Sequence, residues 1–362
     1  MVKISVVGSG SVFSPELVVE FAGVADRMGG VLLRFMDIDG PRQVVVSDFC
    51  RRLLGEQPVE IVDCASLEDC IDGADFVLLQ LRQGGIDARI EDELLGKKYM
   101  LPFTETISIC GMSTFLRTYF EYEKLAADIK KYAPDAWVLN FTNPAGQLSE
   151  TLYAFGLRKV IGVCNGFMGQ KEQIEKALNI DDGSYTMNWR GLNHLTIVDG
   201  IYHEGKNRIA DVLETLPDGD MQKDLGALLN GYFQYYFDRV NVIDRLQKQE
   251  KVRSELVKEI DIKLLEEYKN AKEIPESLNL RGGYGYSTAV VNIIRAICLD
   301  EGSMHYAVVK NGSCLPSLPE DAFVEVPIIV NKSGAFPVVN GDLPGYAKVL
   351  AIAVKTYERI LI

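Results

Sequence analysis

The sequence predicts an α/β fold: a Rossmann-type doubly wound parallel sheet over residues 1–180, then an α+β domain over residues 181–362. Three observations carry that expectation. Short apolar runs alternate with helix-period stretches through the first half, the mark of parallel strands joined by crossover helices. The first run ends in a glycine turn that opens a helix. After about residue 180 the alternation gives way to paired strands and longer helical stretches. The length of 362 residues fits about two domains at roughly 100–200 residues each.

The candidate strands of the first half are Lys3–Val7, Leu32–Met36, Val59–Val62, Phe76–Gln80, Ala136–Asn140 and Lys159–Val163. Runs such as FVLL are apolar throughout, as expected of strands covered on both faces. The amphipathic stretches Pro15–Ala25 and Arg42–Leu54 read as crossover helices. In the second half, SYTMNWRG and HLTIVDGIYHEG read as strands with a turn between them. A helical region is expected from Asp218 to Ala271 and a helix over Ser287–Ile297. FVEVPIIVNKSG and GAFPVVNG read as short strands, and Leu343–Ile362 as a closing helix.

The glycine turn carries the first chemistry. Strand Ile4–Val7 runs into Gly8-Ser9-Gly10-Ser11, and Ser14-Pro15 begins a helix, with Ser14 read as its cap. Gly8, Gly10 and Ser11 would let the backbone approach a pyrophosphate lying on the helix N-terminus. Phe13 stands where a third glycine is usual. The next strand ends at Asp37, whose carboxylate would accept the ribose hydroxyls of NAD and repel the 2′-phosphate of NADP. A glycine turn with a helix-capping Asp is the plainer reading of either piece alone.

The sixth candidate strand ends in Cys164-Asn165-Gly166, and the carboxyl ends of such strands face the ligand crevice. Gly191-Leu192-Asn193-His194 follows, with His194 one of only three histidines. A thiolate and an imidazole can hold a divalent transition metal and leave positions open for substrate oxygens. Spacing alone equally allows a buried apolar Cys and a hydrogen-bonded His. Asn143, in Phe141-Thr142-Asn143-Pro144, is either a turn residue or an amide reaching the crevice.

Composition excludes several classes. A net charge of −13 speaks against phosphate-backbone binding, so no nucleic-acid partner is expected. No run of apolar residues is long enough for a membrane span, and no secretory leader is visible. Seven scattered cysteines without CxxC spacing read as the reduced thiols of a cytoplasmic protein.

Taken together and in order, VGSGSVFSPEL, MDID, QLRQGG, ARIEDE, FTNPAG, GVCN, GLNHL and LRGGYGYST resemble glycoside hydrolase family four, the NAD- and Mn²⁺-dependent glycosidases. Arg82-Gln83-Gly84-Gly85 and Cys164-Asn165 resemble its 6-phospho-β-glucosidase branch. The resemblance implies that Cys164 and His194 hold Mn²⁺ and that Asn143, Asn165 and Asn193 contact sugar hydroxyls or the metal's surroundings. It further implies that Tyr232 is the catalytic base, with Asn165 at the catalytic centre, and that Arg89 and Arg253 meet the substrate, Arg253 at its phosphate. By itself GYFQYYF reads as an aromatic helical stripe, and Arg253 as a solvated side chain. The implied reaction oxidises sugar C3 with NAD⁺, removes the C2 proton and expels the C1 group. Water then adds, and C3 is reduced again. The resemblance also implies a homo-oligomer, a dimer or a tetramer.

The chain departs from the family pattern at Phe103-Thr104-Glu105-Thr106, at Cys110, where glycine is usual, and at Gly231, where proline is usual. It ends inside an apparent helix, so a shortened C-terminal region is expected. Other readings are a family member acting on an unphosphorylated α-galactoside or a uronide, a 2-hydroxyacid dehydrogenase, and a non-catalytic NAD-binding sensor.

Overall fold

A computed structural model of the chain describes residues 1–181, 183–217, 219–282, 285–338 and 341–362. Six parallel strands come first: β1 (Val2–Val7), β2 (Val31–Met36), β3 (Val59–Asp63), β4 (Phe76–Leu79), β5 (Trp137–Asn140) and β6 (Val160–Gly162). They lie in the order β3-β2-β1-β4-β5-β6, the doubly wound dinucleotide-binding arrangement. All six expected strands are present within a residue or two of the anticipated bounds.

The sheet does not stop at residue 180. It continues through β7 (Tyr185–Leu192), β8 (Leu195–His203), β9 (Lys206–Asn207), β10 (Leu228–Leu229), β11 (Ser303–Lys310), β12 (Phe323–Asn331) and β13 (Gly334–Pro337). From β6 the order runs β11-β12-β7-β8-β10, each neighbour antiparallel, with β13 on β12 and β9 on β8. The α+β half is thus an antiparallel extension of the same sheet.

Alternate side chains of the strands enter opposite cores. Ile4, Val6, Phe76 and Leu78 pack on one face with Phe21, Phe35 and Phe49, and that core runs on to Trp189, Ile197 and Ile328. Val7, Val77 and Leu79 pack on the other with Phe115, Tyr122 and Ile129. Burying each such side chain contributes about 1.5–3 kcal/mol. Helix Arg253–Tyr268 is pinned to the nucleotide half by its last residue. Tyr268 stacks on Phe49 at 4.4 Å and donates its hydroxyl to the Val12 carbonyl at 2.7 Å.

Two local expectations are corrected, and two elements were not anticipated. Ser14 is the first residue of helix Ser14–Ala22 and caps nothing; its hydroxyl donates to the Ser9 carbonyl at 2.7 Å and so closes the glycine turn. The stretch read as helical from Asp218 to Ala271 is broken into helix Asp220–Leu225, strand β10, a 3-10 turn at Gly231–Phe233, and helices Gln234–Phe237, Arg239–Gln247 and Arg253–Tyr268. Gly226 in a left-handed conformation ends the first piece, and the Asn230 side chain, accepting from the Tyr232 amide, starts the turn. Strand β11 and the 25-residue helix Ser108–Tyr132 went unread. Residues 218, 283, 284, 339 and 340, in the stretches Asp218–Ala271, LRGGYGYST and GAFPVVNG, lie outside the described residues.

Candidate functional site

The carboxyl ends of β1, β4, β5 and β6 open into one cleft of about 1260 Å³, which the β7–β8 hairpin and the segment after β10 close from the other side. At its nucleotide end lie Gly8, Gly10, Ser11 and Asp37. Gly8 has φ 92°, and a Cβ there would stand 2.6 Å from the Gln80 carbonyl oxygen. The amide of Gly10 donates to Asp37 Oδ2 at 2.9 Å, and a Cβ on Gly10 would fall equally close to that oxygen. The turn is therefore held by the Asp37 carboxylate, and glycine is required at Gly8, where φ is positive and the blocking atom is backbone.

At the other end, β6 delivers Cys164, and the amide of Gly166, opening helix Gly166–Leu178, donates to its sulfur at 3.3 Å. Leu192 and Leu195 pair across a two-residue hairpin, and its second residue, His194, adopts φ 64°. That conformation turns the imidazole back over the sheet end. Cys164 Sγ and His194 Nε2 stand 3.4 Å apart, and both residues are buried. Burial lowers His194 to about 4, although Glu105 pulls the other way. The imidazole is therefore neutral at pH 7, the form that ligates metal. Burial pushes Cys164 up to about 12, helped by Glu325, against the hydrogen bonds of Gly166, Asn193 and Tyr286.

Those two atoms fit a shared cation. Asn143 Oδ1, a third lone-pair atom of the same cleft, is buried without a hydrogen-bond partner. Among the described residues no group of three His, Cys, Asp or Glu side chains could hold a metal. The donor set is thus one sulfur, one nitrogen and neutral amides, leaving coordination positions to a ligand in the cleft.

Tyr232 stands over His194. The two rings stack at 4.3 Å with an 8° angle between their planes. The 3-10 turn explains the separation of roles inside GYFQYYF: Phe233 enters the core while Tyr232 faces the cleft. Burial raises the phenol to about 12, Thr106 offsets part of that, and Glu105, Cys164 and Tyr235 add to it.

Asn143, Asn165, Arg89 and Arg253 also line the cleft. Arg89 is 8% exposed and bonds Glu93 at 2.8 Å and Glu105 at 3.2 Å. The Arg253 guanidinium is exposed but fixed by the carbonyls of Leu280 and Arg281, each at 3.1 Å. Cys164 sits just behind the lining, against His194, and Asn193 is likewise set back from the cleft. Its amide donates to Glu325 Oε2 at 3.0 Å, because the hairpin points it down between the strands.

The sequence reading passed over three residues. Glu105 bridges Arg82 and Arg89 at the cleft wall; burial alone would raise its carboxyl, yet the two guanidinium groups hold it at about 2. It lay inside a segment noted only as a departure. Tyr286 lines the cleft at the start of helix Tyr286–Leu299. Glu325, buried in β12, is pushed by burial up to about 7 despite hydrogen bonds from Asn193 and the His194 amide. An acid inside the apolar run FVEVPIIV was the signal for it.

The chain is similar to known proteins over nearly its whole length. The description "Family 4 glycosyl hydrolase" matches residues 3–180, and that family's C-terminal domain matches residues 189–362. The 6-phospho-beta-glucosidase BglT of Thermotoga maritima is 30% identical over 99% of this chain and 89% of its own length. The 6-phospho-beta-glucosidase of Escherichia coli (strain K12) is 29% identical over 92% of this chain and 81% of its own. A solved structure of the Thermotoga maritima enzyme with manganese, NAD⁺ and glucose-6-phosphate superposes with a TM-score of 0.94 at 30% identity, covering 100% of this chain and 89% of that one. A lactate dehydrogenase at 17% identity and a TM-score of 0.63 shares the fold alone.

Proposed function

The chain belongs to the family 4 glycosyl hydrolases, and from that membership we propose that it hydrolyses 6-phospho-β-glucosides with NAD⁺ and Mn²⁺. One observation carries the reading: the Cys164 thiol stands 3.4 Å from the His194 imidazole, which lines the dinucleotide cleft, and the Tyr232 ring stacks on that imidazole.

When bound, NAD⁺ would take up and return a hydride at sugar C3, and Mn²⁺ would act as a Lewis acid toward the oxygens on C2 and C3. The chain's own groups do the rest. Gly8, Gly10 and Ser11 would seat the pyrophosphate, and Asp37 would accept the ribose hydroxyls. Cys164 and His194 would hold the cation, and Asn143 and Asn165 would present amides to it or to the sugar. Tyr232 would take the C2 proton. A phenol that burial has raised needs nearby positive charge to ionise, and both a cation at His194 and the Arg89 guanidinium would provide it. Arg253, fixed by two carbonyls, suits a phosphate with its planar fork. Asn193 acts behind the site.

Among the described residues no helix is long and apolar enough to cross a membrane. Seven free cysteines support a reducing, cytoplasmic setting, and we read the protein as a homo-oligomer by analogy with its family. The test is a panel of nitrophenyl glycosides, with and without a 6-phosphate and of both anomers, assayed with NAD⁺ and Mn²⁺. The 6-phospho-β-glucoside should turn over fastest, and EDTA should stop it. Preference for an unphosphorylated α-galactoside or a uronide would overturn the substrate assignment.

A further inference from the structure

Glu325 is 1% exposed, and among the described residues no Lys or Arg shapes its charge. A carboxylate taken out of water without a counter-charge is costly, so its place in the middle of β12 asks for a reason. The neighbours supply one. Glu325 pairs in register with Gly191, the residue two before Asn193. Gly191 is a glycine of necessity, since a Cβ there would lie 2.1 Å from the Leu195 carbonyl oxygen. This register sets the carboxylate beneath the β7–β8 hairpin. There the Asn193 side chain donates to Oε2 at 3.0 Å, and the His194 amide donates as well. Both residues of the hairpin are thus tied to one acid, and His194 holds its φ of 64° on that support. The same acid lies close enough to Cys164 to act on its charge.

We propose that Glu325 is a positioning residue for the cation site: it locks the Asn193–His194 hairpin with the imidazole toward Cys164, and its charge helps to balance a divalent ion. Thiolate and carboxylate together carry two negative charges, which a divalent cation neutralises inside the protein. The otherwise uncompensated acid is then explained by the ion it faces through Asn193 and His194. Groups behind metal ligands act this way by fixing ligand orientation and raising ligand basicity. This inference rests on the reading of Cys164 and His194 as the Mn²⁺ site.

The experiment titrates Mn²⁺ into NAD⁺-saturated protein and follows the six-line electron paramagnetic resonance signal of free Mn²⁺. Wild type, Glu325→Gln and Cys164→Ser are compared, and NAD⁺ affinity and the metal-free melting temperature are measured for each. Glu325→Gln keeps the shape and an acceptor for Asn193 but removes the charge. Its Mn²⁺ Kd should rise about 10–100-fold, with NAD⁺ affinity unchanged and metal-free melting equal to or above that of wild type. A purely structural role would instead lower the melting temperature and NAD⁺ affinity together, and that result overturns the proposal. Wild-type Mn²⁺ affinity in Glu325→Gln, beside loss in Cys164→Ser, overturns it and leaves the cation site standing. Failure of the wild type to bind Mn²⁺ removes the site and this inference with it.

Discussion

Replacing the Cys164 sulfur by oxygen changes one atom at the point where strand β6, helix Gly166–Leu178 and the His194 imidazole meet. A hydroxyl is a far poorer ligand than a thiolate for a transition-metal ion, so Cys164→Ser should lose Mn²⁺-dependent turnover. NAD⁺ affinity should stay near the wild-type value, because the glycine turn and Asp37 lie at the other end of the cleft; equilibrium titration with NAD⁺ checks this. Tyr232→Phe keeps the ring stacked on His194 and removes only the hydroxyl. Its kcat should fall about 10²–10⁴-fold with a small change in KM, the mark of a lost proton-transfer group. Glu105 gives a pH signature. Arg82 and Arg89 hold its folded-state value at about 2, below the ordinary 4.5. A lowered carboxyl stabilises the fold above its unfolded value, and that contribution disappears as pH falls toward the folded one. Glu105→Gln should therefore melt below wild type at pH 7, and the gap should close as the pH falls from about 4.5 toward 2.

The elements show what a sequence reveals and what it hides. The six parallel strands, the glycine turn and Asp37 were legible because buried parallel strands are written as continuous apolar runs and the turn needs glycine at Gly8. The Cys164–His194 pair was legible only as two residues thirty apart; the hairpin register and the φ of His194 that bring them together depend on tertiary pairing. The Asp218–Ala271 region misled because a helical period continues across the breaks at Gly226 and Asn230. Tyr232 owes its place in the cleft to one of those breaks. Asn193 was legible only as a motif residue expected at sugar hydroxyls or the metal's surroundings; its partner Glu325 lies 132 residues away and could not be read. Gly8→Ala tests the first element: a Cβ 2.6 Å from the Gln80 carbonyl cannot be absorbed by backbone, and NAD⁺ affinity should fall at least tenfold by titration. The last helix, Gly345–Leu361, is clamped through Lys355, which is 2% exposed and bonds Glu150 at 2.9 Å and Glu358 at 2.7 Å. Breaking a buried pair from one side costs about 3–5 kcal/mol, so Lys355→Met should lower the melting temperature by several degrees in thermal unfolding.

Over the whole molecule, one sheet joins two chemistries. Its parallel half presents a dinucleotide cleft at the strand ends, and its antiparallel half folds the His194 hairpin and the Tyr232 turn back over that cleft. On the proposed reading this arrangement would gather a redox cofactor, a cation and a base around one sugar ring, in place of the two opposed carboxylates of ordinary glycosidases. Turnover therefore should leave a label. A 6-phospho-β-glucoside hydrolysed in deuterium oxide with NAD⁺ and Mn²⁺ should release glucose-6-phosphate carrying deuterium at C2, without net NADH. Nuclear magnetic resonance of that product reads the position. Hydrolysis that proceeds with no deuterium at C2, at the same rate when NAD⁺ is left out, would contradict the roles of Tyr232 as base and of Cys164 and His194 as cation ligands.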